Sequence, residues 1–252
     1  MKCITIALIA LISLSANQVV AQDLTDTELL STLDAVRFFD DSVRQVSIRI
    51  LSETPEETRE ATLILSFFDS EDGSYARIEF ATPEELAGQI FLSTPDATYF
   101  YGPDLDFPIK TSATTEIFGD AAVAQTSGIR FADSYTVAER RTISTENEIE
   151  LWEVDLIAVD FTVAFQTVTV TVDPVELRPV SAILYAVSGL PFYEVFYEIY
   201  KVREDDVYVT EQRIVNQLLL GRITTSEILE ISTDSMPAAF FDPDSLGRDE
   251  ES

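Results

Sequence analysis

Asp104 and Asp106, one residue apart in a proline-rich stretch, form the kind of carboxylate pair that general acid–base hydrolysis employs. The chain carries 45 Asp and Glu residues, so many such pairs exist and this one is not distinguished. Other routes to chemistry are narrow. There is no histidine, and Cys3 is the only cysteine. Without imidazole or a second thiol, the usual base for a Ser or Cys nucleophile and the nitrogen and sulfur ligands of zinc or copper are missing. A Ser–Lys arrangement would have to draw on Lys2, Lys110 or Lys201, the only lysines present. Neither a Gly-x-Ser-x-Gly elbow nor a Gly-rich phosphate loop occurs. The inventory favours binding over catalysis: no catalytic or metal-ligating residue is assigned, and no cofactor is expected.

The acidity has its own consequences. Sixteen basic residues against 45 acidic ones give a net charge of −29, spread over nearly every turn rather than gathered in a tail. Such a surface repels nucleic-acid phosphates, so nucleic acid is excluded as a partner. It suits a saline setting, where screening suppresses self-repulsion, or calcium-binding loops, and the sequence leaves both open. The richest acidic loop, Asp69-Ser70-Glu71-Asp72-Gly73, lacks the EF-hand spacing. Asp72-Gly73 between two alternating apolar runs reads instead as a hairpin turn.

Residues 1–21 read as a secretory signal: Lys2, an apolar run from Ile4 to Leu14, then Val19-Val20-Ala21 before Gln22. The expectation is an exported protein, periplasmic or equivalent, soluble and monomeric after cleavage. One domain over residues 22–246 and a disordered tail over 247–252 complete the expected organisation.

The elements that would position any site are a helix and many strands. Thr25 and Glu28 have capping-box spacing ahead of an apolar stripe of Leu29, Leu30, Leu33, Val36 and Phe39, predicting a helix over 24–40. Strands follow by period-two alternation: Val46/Ile48/Ile50, Leu63/Leu65/Phe67, Ala76/Ile78/Phe80, Trp152/Val154/Leu156 and Val168/Val170/Val172. Residues 112–133 break this rhythm, and alanine-rich Glu116–Gln125 predicts a second helix. With roughly ten strands in all, the fold class is mainly β (α+β). The strands form a curved antiparallel sheet or incomplete barrel with one apolar face, covered by the N-terminal helix and the mid-chain helical lid.

That order of elements, together with several short motifs, resembles the LolA/LolB superfamily, in particular its outer membrane lipoprotein-sorting branch. Arg77-Ile78-Glu79-Phe80 followed by Pro83, Gly88, Phe91 and Leu92 is similar to that branch's strand, proline turn and Phe-Leu pattern. Tyr99-Phe100-Tyr101-Gly102-Pro103-Asp104-Leu105 resembles its aromatic strand and Pro-x-Leu turn. Ile117-Phe118-Gly119-Asp120 stands where the family has a Phe-x-Gly-Ser-Asp stretch opening its lid, and Met236 to Phe240 resembles its closing turn.

The resemblance implies a non-enzymatic carrier whose greasy interior shelters acyl chains of lipids or lipoproteins, with helices that swing aside for exchange. An envelope transporter or membrane acceptor is the implied second partner class. The wall residues expected to face cargo are Ile48, Leu65, Phe80, Phe91, Trp152 and Phe196, and those of the lid are Leu33, Phe118, Val123 and Phe131. The alternative is a structural or interaction module, or an accessory subunit of an envelope transporter, that uses the same fold without transferring cargo.

Overall fold

The computed structural model describes residues 24–37, 43–122, 129–145, 147–203 and 206–247. The expected leader at 1–21, the predicted helix end at Asp40-Asp41, Val123 and residues 248–252 lie outside these. Helix α1 spans Asp26–Arg37 and starts as the capping box predicts. Glu28 N donates to Thr25 Oγ1 at 3.3 Å, and Thr25 N donates back to Glu28 Oε2 at 2.9 Å. Thr25→Ala is expected to cost about 1 kcal/mol, the usual value of a helix N-cap. A urea titration against the parent checks this.

Strands β1 (Gln45–Glu53), β2 (Thr58–Ser70), β3 (Gly73–Thr82), β4 (Ile90–Ser93), β5 (Thr98–Tyr101) and β6 (Ile109–Thr111) form one antiparallel meander. After the interruption come β9 (Tyr135–Ser144), β10 (Glu150–Ala158), β11 (Thr167–Asp173), β12 (Arg178–Tyr185), β13 (Pro191–Arg203), β14 (Asp206–Asn216) and β15 (Ile223–Ser232). Pairing of β1 with β15 joins the two meanders into a 13-stranded sheet whose order runs from β6 to β9. Those two strands end the order, so the barrel stays incomplete, as expected. The short strands β4 and β5 fall where the sequence offers short apolar runs, and β6 pairs as a further strand that its pattern does not announce.

Alternation decides which face is core. Val168, Val170 and Val172 are buried, as are Val46, Ile48 and Ile50, and they share one face with Leu29, Leu30 and Leu33 of α1. The opposite face carries ion pairs. There Arg141 meets Asp155 at 2.5 Å and also Glu153, and Arg49 meets Glu227. Burial pushes the Asp155 carboxyl up, but hydrogen bonds from Arg141 and Thr169 outweigh it and hold the group below its ordinary value. A two-residue hairpin turn is present here, one residue earlier than Asp72-Gly73: Ser70 pairs with Gly73, and Glu71-Asp72 form the tip.

Two expectations need correction. Glu116–Ala122 is not helical; it forms a small hairpin of β7 (Glu116–Phe118) and β8 (Ala121–Ala122), and among the described residues of this segment the helix is the short α2 (Phe131–Ser134), with 123–125 of the expected helix outside them. The reason is Gly119, whose φ of +59° turns the chain where an alanine-rich helix would continue. The segment after Met236 is also more ordered than a plain loop. Ala238–Phe241 and Pro243–Ser245 are 3₁₀ turns, and Phe241 and Leu246 pack with Ile90 and Leu92 into a second, smaller core. Arg77 pins this segment by donating to the Phe240 carbonyl at 2.9 Å with its guanidinium stacked over the Phe240 ring.

Candidate functional site

On the covered face of the sheet lies a cavity of about 100 Å³. Its walls are Val46, Ile48 and Ile50 of β1, Leu65 and Phe67 of β2, Ile214 of β14 and Ile228 of β15, with Ala121 of the small hairpin closing one side. Strand alternation produces the lining from β1, β2 and β15, which present every second residue inward, whereas β14 contributes the consecutive Val209 to Gln212 as well as Ile214, opposite a register shift in β13. The polar groups are few: Arg37, Gln212 and Glu211 are partly exposed, and Ser226 and Thr210 are buried. This combination of an apolar wall and a few polar groups is the usual make-up of a small-molecule site.

Arg37 sits at a junction. A second recess of about 30 Å³, lined by Ile129, Phe131, Tyr135, Leu184 and Val195, shares Arg37, Tyr197 and Gln212 with the first. The guanidinium lies over the Phe131 ring at 3.7 Å and donates to Asp34 Oδ1 at 3.0 Å and to the Ile129 carbonyl at 3.2 Å. It therefore stands between the two apolar spaces, tied to α1 through Asp34 and to the segment before α2 through Ile129 and Phe131.

Two polar locks hold the covering segments down. In the first, the buried Asp34 of α1 accepts the backbone N–H of Phe131 and of Ala132, each at 2.8 Å, and so fastens α1 to α2. Burial pushes the Asp34 carboxyl above its ordinary value, against the opposing pull of Arg37 and the two amides.

The second lock is at the hairpin turn. Asp120 is 1% exposed, its N–H donates to Thr224 Oγ1 at 2.9 Å, and its Oδ1 accepts from Asn216 Nδ2 at 2.6 Å. Arg222 Nε lies 3.4 Å from Asp120 Oδ2 as an ion pair. Tyr193 donates to Glu116 at 3.2 Å beside it, and burial, then Glu116 and Asp120, push its phenol well above the ordinary range.

Of the wall residues expected from sequence, Ile48 and Leu65 line the larger cavity. Phe80, Phe91 and Trp152 are buried in the same core but away from it. Phe80 meets Phe118 edge-on at 6.4 Å, Phe91 packs on Phe100 at 4.9 Å, and Trp152 lies under the Arg140 guanidinium at 5.0 Å. Phe196 is a correction. It faces the other side of β13, under Arg213 at 4.3 Å, while Val195 and Tyr197 point to the core. Apolar residues occur on both faces of β13, but Glu194 and Glu198 share the Phe196 side and mark it as the outer one.

Among the lid residues, Leu33 and Phe118 are buried in the core, Phe131 lines the smaller recess, and Val123 is outside the described residues. Sequence reasoning missed Arg37, Asp34 and Asp120. A hint was available for Asp34, an acid on the apolar stripe of α1 one position after Leu33. The carboxylates Asp104 and Asp106 are exposed in the β5–β6 loop, and among the described residues no group of three or more acidic, His or Cys side chains is arranged to hold a metal ion. Nor is any described helix long and apolar enough to cross a membrane.

Comparison with solved structures agrees with this geometry. A LolA superfamily protein from Nitrosomonas europaea superposes with a TM-score of 0.79 at 20% identity, over 87% of this chain and 98% of that one. A putative outer membrane lipoprotein-sorting protein domain from Vibrio parahaemolyticus gives 0.72 at 16% identity, over 90% and 99% of the two chains. A DUF1329 family protein from Desulfovibrio piger gives 0.70 at 15% identity, over 88% and 97%. No curated protein sequence matches the chain. The fold is thus LolA-like, and the model of a family described as "Uncharacterized protein" matches residues 72–248, so the chain belongs to that family.

Proposed function

We propose that this protein is an exported, non-enzymatic carrier that shelters an acyl chain of a lipid or lipoprotein between its sheet and the covering α1, hairpin and α2. The observation that supports this reading best is the apolar cavity at Ile48 and Leu65, separated from a second recess by the Arg37 side chain. An apolar cavity of about 150 Å³ accommodates benzene, so the roughly 100 Å³ seen here is a closed state with room for only a few methylenes. Cargo enters when α1 swings, Arg37 leaves Phe131 and the two recesses merge. Each methylene then buried contributes about 0.8 kcal/mol, enough to hold part of an acyl chain without a reacting group. An acceptor membrane or envelope transporter would take the cargo from the opened state.

A plugged variant tests this. Leu65→Trp fills the cavity from its wall. Displacing two methylenes of ligand costs about 1.6 kcal/mol, so affinity for a fluorescent fatty acid is expected to fall about tenfold or more. Equal binding by parent and variant, with circular dichroism unchanged, would count against the cavity as the cargo site.

A further inference from the structure

Exposed large apolar side chains are unevenly distributed on this acidic molecule. The antiparallel order places the β10–β11, β12–β13 and β14–β15 hairpins on one rim of the sheet, because β1 ends opposite the start of β15 and each neighbour reverses in turn. Those three tips expose Phe161 at 87%, Val187 at 92% and Leu220 at 88%, with Leu190, Leu218 and Leu219 beside them. They are adjacent: Val168 pairs with Leu184 below the first two, and Gln217 N donates to the Phe192 carbonyl at 2.9 Å between the second and third.

The tips are also almost uncharged. Residues 159–164, 186–190 and 217–221 contain one charged side chain, Asp160, in a chain that is 24% charged. Asp160 is exposed and accepts the Thr162 N–H of its own loop at 2.7 Å. The apolar stretch is confined to the half of this rim from β10 to β15: the other half is acidic, with Glu56 and Glu57 in the β1–β2 turn, Glu84 and Glu85 after β3 and Asp104 and Asp106 after β5, and the opposite rim carries Glu71, Asp72, Asp96 and Glu176 in its turns.

The apolar side chains are held outward by stiff turns. Asn216 Oδ1 accepts the N–H groups of Leu218 and Leu219 at 3.0 and 2.8 Å, and Gly189 closes its turn at φ +81°. With their backbones satisfied, these tips lose little conformational freedom on docking.

We propose that this rim is a membrane-docking surface that inserts Phe161, Val187 and Leu218 to Leu220 into the interface of a bilayer with zwitterionic headgroups. Charge selects this occupant. A second copy brings another −29, and an anionic bilayer repels the same surface, whereas a zwitterionic one carries no net charge. Shape agrees: three separate protruding tips suit a fluid interface that closes around each of them, while a protein partner would need three matching hollows. The inference goes beyond the cargo reading and does not require it, since the tips lie outside both recesses.

The test uses the protein isolated after export, parent and variants alike, with phosphatidylcholine vesicles. Combined Phe161→Ser, Leu219→Ser and Leu220→Ser substitution is expected to reduce vesicle partitioning at least tenfold. Leu220→Trp is expected to be quenched by brominated phosphatidylcholine, whereas Val175→Trp on the opposite rim is not; the buried Trp152 gives both the same background. Equal partitioning of parent and triple variant, or equal quenching at 220 and 175, would overturn the proposal. A concentration-dependent dimer in sedimentation velocity, dissolved by the triple variant, without vesicle binding by the parent, would overturn it in favour of a second copy. The Leu65→Trp variant, blocked in its cavity, is expected to bind vesicles like the parent, which separates failure of this inference from failure of the carrier reading.

Discussion

Gly119→Ala is expected to destabilise the protein by about 4 kcal/mol, combining about 1–3 kcal/mol for an L-residue held at positive φ with about 1–3 kcal/mol for overpacking. The backbone at Gly119 has φ +59°, and a Cβ there would lie 2.6 Å from Ser52 Oγ, 2.6 Å from Thr224 Oγ1 and 2.7 Å from Ser52 Cβ. Neither hydroxyl-bearing side chain has room to retreat, because Ser52 and Thr224 are themselves buried on β1 and β15, and Thr224 Oγ1 accepts from Asp120 N. The hairpin must therefore lift, and lifting it breaks the Asp120 lock to Asn216. Urea denaturation reads the loss of stability, and faster amide hydrogen exchange at 116–122 reads the release. A cost under about 1 kcal/mol would show that the turn is not clamped as described.

Asp34→Ala is the second large effect, about 2–3 kcal/mol at pH 7. It leaves the Phe131 and Ala132 N–H groups and the Arg37 guanidinium facing a gap, and each unsatisfied buried donor costs about 1–3 kcal/mol. The pH dependence carries a definite sign. Because burial raises the Asp34 pKa in the folded protein, the stability linked to its protonated form is complete below the ordinary carboxylate value and is lost as pH rises through the raised one. Acidifying from pH 7 towards that ordinary value should thus stabilise the parent relative to Asp34→Ala. Paired urea titrations across this range measure the difference. A gap between parent and variant that narrows on acidification would contradict the assignment of burial as the dominant influence on Asp34.

Both locks explain why parts of the structure escape sequence reading. The sheet was legible because period-two alternation is local: Val168/Val170/Val172 and Trp152/Val154/Leu156 announce strand and buried face together. Helix α1 was legible because Thr25 and Glu28 sit three residues apart. The hairpin at 116–122 was not, since local alanine content favours a helix and the deciding contacts come from Asn216 and Thr224, some hundred residues away.

The face of Phe196 was legible in part. Its same-face neighbours on β13 are Glu194 and Glu198, set against Tyr193/Val195/Tyr197 on the other side, and the cross-strand Arg213 pairs with Glu198 and covers the Phe196 ring on that outer face. Cavity walls followed the strands, so Ile48 and Leu65 were found. Arg37 was missed because its role arises only where α1, α2 and β13 meet.

Mass spectrometry of an organic extract from the protein, isolated after export without detergent, addresses the carrier reading most directly. An acyl-chain lipid recovered from the parent, and strongly depleted from Leu65→Trp prepared in parallel, is the expected result. An extract from the parent with no lipid beyond that of the plugged variant would contradict it.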